Sequence, residues 1–202
     1  MIEFVVLRHG QSTGDLEARH KGRHDTPLTE RGREQARRAA MWIAEHLPPN
    51  VVYASPLRRA AETAEILAQQ AGVAVYYDDD LMEFNNGVLA GLPFTEAAER
   101  YPEPIGGYKA HEPVPGGESD ITFRARAEIV WSRLLSETVD GQRIAIVAHG
   151  GIISRLFQCF LNLPLQTDLR LVTSDTGIHL WRIEGTNRYV VFTNCSNHLG
   201  QE

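Results

Sequence analysis

The sequence predicts an α/β protein: a three-layer α/β/α sandwich around a mostly parallel central sheet with an antiparallel edge strand. Two observations carry this. Short β-rich runs alternate with amphipathic stretches along the chain, and the last two runs, Ile178–Ile183 and Tyr189–Thr193, are separated only by Glu184–Arg188, as in a hairpin. The earlier strand candidates are Ile2–Leu7, Val51–Ala54, Val73–Tyr77 and Ile144–Ala148. With 202 residues and no repeat, linker or low-complexity tract, residues 1–202 are expected to form a single domain.

Each helix has its own start and stop. Thr29 is placed to cap a helix over Glu30–Leu47, and Pro48-Pro49 ends it. Ser55-Pro56 reads as an N-cap followed by proline at the first helical position, opening a helix that Gly72 terminates after Ala71. A third helix runs from Ser119 to about Thr138, and a fourth from Gly151 to Leu161, ended by Pro164. Segment 84–117 fits neither period and holds eleven Gly and Pro residues, so it reads as a lid or binding surface.

Composition removes several classes of function. Hydrophobic residues are 43% and charged residues 23%, ordinary for a globular protein, and no apolar run nears the roughly 20 residues of a membrane span. Ile2–Leu7 is broken by Glu3 and has no basic leader, so a signal peptide is not expected. Cys159 and Cys195 match no disulfide framework or zinc spacing, which points to a reducing cytoplasm. A net charge of −6 argues against nucleic acid as a partner. Residues 1–60 nevertheless carry ten Arg/Lys against seven acids, enough for a local anion site. His20 and His24 are spaced i, i+4, but Gly22 interrupts any shared helix face, so no metal is expected.

In open α/β sheets ligands bind beyond the carboxyl ends of the strands. Four such ends carry Arg8-His9-Gly10, Ser55-Pro56-Leu57-Arg58-Arg59, Asp78-Asp79-Asp80-Leu81-Met82-Glu83 and His149-Gly150-Gly151. Alone, each has a plain structural reading as a turn or a solvated face. Together they bring imidazoles, guanidiniums and a carboxyl to one edge, which suits an anion and a proton transfer.

These residues resemble the histidine phosphatase superfamily (phosphoglycerate-mutase-like). The resemblance rests on Leu7-Arg8-His9-Gly10-Gln11-Ser12, Asp25-Thr26-Pro27-Leu28-Thr29-Glu30-Arg31-Gly32 and Ser55-Pro56-Leu57-Arg58-Arg59-Ala60. Leu81-Met82-Glu83, Gly116-Gly117-Glu118-Ser119, Val147-Ala148-His149-Gly150-Gly151 and Asn197-His198-Leu199 extend it to most of the chain. It implies that His9 is a nucleophile forming a phosphohistidine, that Arg8, Arg59 and His149 surround the phosphoryl oxygens, and that Glu83 donates a proton to the leaving oxygen. Gln11, Ser12, Asp15, Lys21, Gly22 and Gly150 complete the implied substrate-binding set. Arg59 is preferred to Arg58 because it directly precedes Ala60, as in the family. The implied activity is metal-independent, cofactor-free hydrolysis of small phosphomonoesters, with a homodimer compatible.

The alternatives are a cofactor-dependent phosphoglycerate mutase and a phospho-ligand-binding module without catalysis. Against the mutase, segment 84–120 has two basic residues, Arg100 and Lys109, and six acids, a poor clamp for a bisphosphorylated acid. Against the inert module, every residue of the implied catalytic set is present. Asp15 stands where the family has Asn. It is expected to pair with Lys21 or Arg19, or to meet a hydroxyl or amine of the substrate. Asp78, Asp79 and Asp80 are expected to raise the Glu83 pKa if they lie close. Apolar lid residues Phe84, Leu89, Leu92, Phe94, Tyr101 and Tyr108 are expected to shape the leaving-group pocket, some of them serving only as packing. His46, His111 and His179 read as surface or core residues, and His198 as structural.

Overall fold

The computed structural model describes residues 1–165 and 167–200. Six strands form one sheet in the order β3-β2-β4-β1-β5-β6, where β1 is Ile2–Arg8, β2 Val51–Ala54, β3 Val75–Tyr77, β4 Arg143–Ala148, β5 Ile178–Glu184 and β6 Asn187–Cys195. Neighbours among β3, β2, β4 and β1 pair parallel, whereas β5 runs antiparallel to both β1 and β6. The helices are α1 (Glu30–His46), α2 (Arg58–Ala71), α3 (Phe94–Arg100), α4 (Asp120–Glu137) and α5 (Gly150–Phe160).

Strand periodicity makes the layers. Phe4 and Val6 of β1 join Ile144 and Ile146 of β4 in a core with α4 and α5, built around Trp131 and Trp181. Their neighbours Val5, Leu7, Ala145 and Val147 face the other way, onto α1 and α2. Successive residues of a strand point to opposite faces, so apolar strands of this kind must be covered on both.

Chain direction then creates a crevice. β1 and β4 are parallel neighbours with Arg8 in register with Ala148. The chain leaves β1 toward β2 on one side and leaves β4 toward β5 on the other. Such a reversal is where an open α/β sheet leaves room for a ligand.

The structure departs from the sequence reading in four places, one of them β6, which runs two residues beyond the expected Tyr189–Thr193 at each end. α2 begins at Arg58 with Leu57 as its N-cap, so Ser55 does not cap it and Pro56 lies outside it. Ser55 instead extends β2, its N–H donating to the Val147 carbonyl, as the extended backbone required before proline favours. β3 starts at Val75, two residues later than expected. Segment 84–117 contains the seven-residue helix α3, entered from Pro93 and too short to give a readable period.

At the far end of the sheet from the crevice, Glu3 is buried at 4% exposure and accepts from Arg143 Nε at 2.8 Å and Arg182 Nε at 3.0 Å. Burial opposes its charge, but the two guanidiniums outweigh that and hold its carboxyl below the usual range. Glu3→Gln leaves two cations without their carboxylate and is expected to lower unfolding stability by about 3 kcal/mol. Urea unfolding at pH 7 measures the loss, and turnover per folded molecule should stay unchanged.

Candidate active site

His9 follows β1 directly and His149 follows β4, so the parallel register sets them side by side. Their ring centroids are 5.1 Å apart and both are almost wholly buried. The His9 N–H donates to the Ala148 carbonyl at 3.0 Å, and the His9 carbonyl accepts from Thr176 N–H at 3.2 Å. On the α1 side the His9 loop lies so close to the helix start that a Cβ on Gly32 would come 2.0 Å from the Gln11 carbonyl oxygen. Only glycine permits that approach.

Hydrogen bonding fixes the His9 tautomer. Nδ1 lies 2.7 Å from the Gly10 carbonyl, which can only accept, so Nδ1 carries the proton and Nε2 keeps its lone pair. Burial and then the charges of Arg59 and Arg8 hold the imidazole well below its ordinary pKa. The same causes act on His149, where burial leads and Arg59 follows. His149 Nε2 lies 2.8 Å from Ser55 Oγ, and that oxygen accepts from Leu57 N–H at 3.3 Å. Ser55 Oγ can either donate to His149 Nε2 or accept from it, and the ring's other nitrogen is Nδ1. That atom is buried and has no partner among the described residues.

Arg59 is 3% exposed, whereas Arg58 is turned to solvent. Arg59 Nη1 donates to the His24 carbonyl at 2.9 Å and Nη2 to the Gly22 carbonyl at 2.8 Å. Thr63 Oγ1 accepts from Gly10 N–H and donates to the Arg59 carbonyl, fastening α2 to the His9 loop. Arg8 Nη1 donates to the Thr173 carbonyl at 2.8 Å and Nη2 lies 3.2 Å from Asp175, while its Nε is buried without a partner among the described residues. Glu83 reaches the start of α5: Oε2 accepts from Gly151 N–H at 2.9 Å and Oε1 from Phe84 N–H at 2.8 Å. A Cβ on Gly151 would lie 2.3 Å from Glu83 Oε1, so glycine there lets the carboxyl sit on the helix terminus. Asp78 and Asp80 do not crowd Glu83; both carboxylates engage Arg133.

The remaining expected substrate residues divide. Asp15 Oδ1 takes Lys21 Nζ at 2.5 Å, and Oδ2 accepts from Ser12 N–H at 2.7 Å and Ser12 Oγ at 2.6 Å. Burial opposes the Asp15 charge, but Lys21 and Ser12 outweigh it and hold the carboxyl well below its usual range. Arg19 pairs with Glu17 instead. Gln11 is engaged by Thr29, whose Oγ1 donates to Gln11 Oε1 at 2.9 Å. Gly22 serves the site through its carbonyl, and Gly150 opens α5 beside His149. Sequence reasoning did not single out Ser55, Thr63, Gly151 or Asp175 as site residues. Ser55 was readable only as a helix cap, and the others carry no spacing signal. His20 packs edge-on against Phe94 and His24 lies against Gly91, and no cluster of three or more His, Cys, Asp or Glu suited to a metal occurs among the described residues.

Fold and crevice define an α/β protein with a paired-histidine, paired-arginine site for an anion. The chain matches the profile of the histidine phosphatase superfamily (branch 1) over residues 4–196 and belongs to that family. It is 35% identical over 161 residues to phosphoglycerate mutase-like protein 4 of Arabidopsis thaliana, covering 77% of this chain and 70% of that protein. A probable phosphoglycerate mutase of Escherichia coli, GpmB, is 32% identical over 176 residues, 85% of this chain and 80% of that one. The solved mycobacterial glucosyl-3-phosphoglycerate phosphatase complexed with VO3 superposes with a TM-score of 0.81 at 29% identity, over 95% of this chain and 98% of that one. The α-ribazole phosphatase from Shigella flexneri shares the fold with a TM-score of 0.86 at 24% identity, over 96% of each chain. No helix among the described residues is long and apolar enough to cross a membrane.

The buried imidazoles predict acid lability. His179 and His198 are each pushed down to about 4, in both by burial and in His198 also by Arg38, and His9 and His149 are depressed as well. An unfolded imidazole titrates near ~6.5, so below that value the unfolded chain binds protons the folded one does not. Their stabilisation is full above about 6.5 and is lost as pH falls toward about 4, with His179 alone contributing roughly 1–2 kcal/mol of loss at pH 5. Urea midpoints should therefore drop between pH 8 and pH 5; a midpoint that holds or rises contradicts neutral burial.

Proposed function

We propose that the chain hydrolyses phosphomonoesters of small metabolites through a phosphohistidine on His9. One observation carries the reading: Arg8 Nε is a buried donor with no protein partner among the described residues, next in the chain to an imidazole whose Nε2 is unprotonated. A phosphoryl group satisfies both, and it also gives the unpartnered His149 Nδ1 an oxygen to meet. His9 Nε2 attacks phosphorus, the ester P–O bond breaks, and Glu83 gives its proton to the leaving alcohol oxygen. In the second half Glu83 takes a proton from water, whose oxygen displaces His9 and yields inorganic phosphate. Arg8, Arg59 and His149 meet the charge spread over the equatorial oxygens, the largest share of catalysis in such a reaction.

The lid supports hydrolysis over phosphoryl shuttling between hydroxyls of an acid. A cavity of about 330 Å³ is lined by Phe84, Leu89, Phe94, Tyr101 and Tyr108 with His20, Asn86 and Glu103, and by no lysine or arginine among the described residues. It adjoins the anion site through Gly22, which packs on Asn86 and the Phe84 carbonyl while its own carbonyl holds Arg59. A mutase must grip a second anionic group, and no cation lines this cavity to do so; Arg155 and Arg170 line a separate cavity, which shares Phe84 with this one and includes Glu83.

Quenching under alkali during turnover of labelled p-nitrophenyl phosphate should leave label on the wild-type chain and none on His9→Ala. Label retained by His9→Ala overturns the nucleophile assignment. Glu83→Gln should slow turnover by roughly 10²–10⁴-fold for alkyl phosphates. The loss should be smaller in the first step with p-nitrophenol, whose departure needs little protonation, so that phosphoenzyme accumulates in a rapid-quench assay. Activity should persist in excess chelator, and 3-phosphoglycerate should release inorganic phosphate rather than become 2-phosphoglycerate.

A further inference from the structure

The segment entering β5, residues 173–177, crosses the carboxyl end of β1 and grips the site from the side opposite α2. It holds Arg8 three times: the Thr173 carbonyl takes Nη1, Asp175 pairs with Nη2, and the Gly177 carbonyl accepts the Arg8 N–H at 3.3 Å. It also holds His9, through Thr176 N–H. β1 fixes where the Arg8 backbone lies, and this segment fixes where its guanidinium points.

Its conformation is not one the chain adopts unaided. Thr176 is fully buried with φ of +51°, an outlier for a β-branched residue that costs on the order of 1–3 kcal/mol unless its surroundings impose it. Asn194, across from it on β6, has φ of +48°. Two sets of contacts impose the shape. Asn194 Oδ1 accepts from Ser174 N–H at 2.7 Å, and Thr176 Oγ1 lies 3.0 Å from His198 Nε2. Between them sits His179, fully buried on β5: its Nδ1 accepts from Asn194 N–H at 3.1 Å, so its proton is on Nε2, which donates to Thr173 Oγ1 at 2.9 Å. One neutral imidazole thus ties the end of β6 to the residue whose carbonyl aims Arg8. A Cβ on Gly177 would come within 2.9 Å of Thr173 Oγ1, so the segment has little room to slide.

We propose that His179 and Thr173 are positioning residues for Arg8, acting through the Thr173 carbonyl and touching no substrate themselves. The inference rests on Arg8 being a phosphoryl ligand, as proposed for the hydrolysis. A histidine that merely fills the core predicts a stability loss when its partner is removed. A positioning unit predicts a loss of rate that disappears once Arg8 is gone.

Thr173→Val keeps the shape and removes the hydroxyl that receives the His179 proton. It is expected to lower kcat for p-nitrophenyl phosphate about ten-fold with a smaller change in KM, short of the hundred-fold attached to a full 1 Å misplacement. Thr173→Ser, which restores the hydroxyl, is expected to recover most of the rate. In an Arg8→Ala background Thr173→Val should cost less than two-fold. A ten-fold loss that persists without Arg8, or no loss in the wild-type background, overturns the proposal. If Thr173→Val does not fold, Thr173→Ala goes through the same cycle and the same two results overturn the proposal. Arg8→Ala with undiminished turnover instead overturns the reading of Arg8 as a phosphoryl ligand, so the two failures are told apart.

Discussion

The site depends on two guanidiniums, that of buried Arg59 and that of half-buried Arg8, set against two buried imidazoles. Arg8 and Arg59 make a cationic His9 or His149 unfavourable, and burial acts in the same direction. What satisfies the guanidiniums decides the chemistry left over. Arg59 donates to the carbonyls of His24 and Gly22, and Arg8 Nη1 to that of Thr173. Carbonyl dipoles complete hydrogen bonds without cancelling a full charge, so positive potential survives for a bound anion. Had carboxylates taken all these positions, the crevice would be neutral and would no longer favour an anion.

Two carboxylates do approach, Asp175 at 3.2 Å and Asp15 at 3.7 Å from Arg8 Nη2. Their placement limits the damage. Burial raises the Asp175 pKa against the opposing pull of Arg8, with the Asp15 charge adding to the rise. Asp15 is occupied on both oxygens, by Ser12 and by Lys21. An asparagine at this position could accept from Ser12 and still offer an N–H to the phosphoryl group; aspartate cannot. Lys21 then acts as the compensation: it neutralises the carboxylate and restores a cation near the rim. The charge balance of this pair accounts for a residue that looks wrong beside a phosphate.

The sequence was informative where local pattern and chain geometry coincide. His9 and His149 lie just past strand ends, Arg59 and Glu83 lie in the segments that follow two others, and the strand-end rule requires only that the strands be found. Ser55 shows the limit. Ser-Pro before an amphipathic run has the form of a helix cap, yet its hydroxyl is claimed by an imidazole 94 positions away. Thr176 and His179 were illegible for the same reason. Their meaning lies in hydrogen bonds between a loop and the last strand, and neither composition nor period records those. α3 was hidden differently: seven residues entered from a proline give too few turns to establish a period. The acidic run 78–80 was legible as charge but not as direction, because Arg133, which receives two of its carboxylates, lies on another helix.

The anion site and the lid cavity that adjoins it answer to different physics. Around His9 the imidazoles, guanidiniums and carboxyl are held largely by backbone groups of neighbouring elements, so the phosphoryl end is rigid and indifferent to what the phosphate is attached to. The lid end is built from side chains on short elements, α3 and the turns before it, with aromatic and aliphatic lining. Discrimination there rests on buried apolar area, at about 25 cal/mol per Å², and one methylene more or less changes it by only ~1 kcal/mol. A cavity of about 330 Å³ lined this way, with His20, Asn86 and Glu103 as its polar groups, separates alcohols by shape and by what those few groups can meet. Fixed chemistry at the anion site and graded contact in the lid cavity put any discrimination between esters in the lid rather than beside His9.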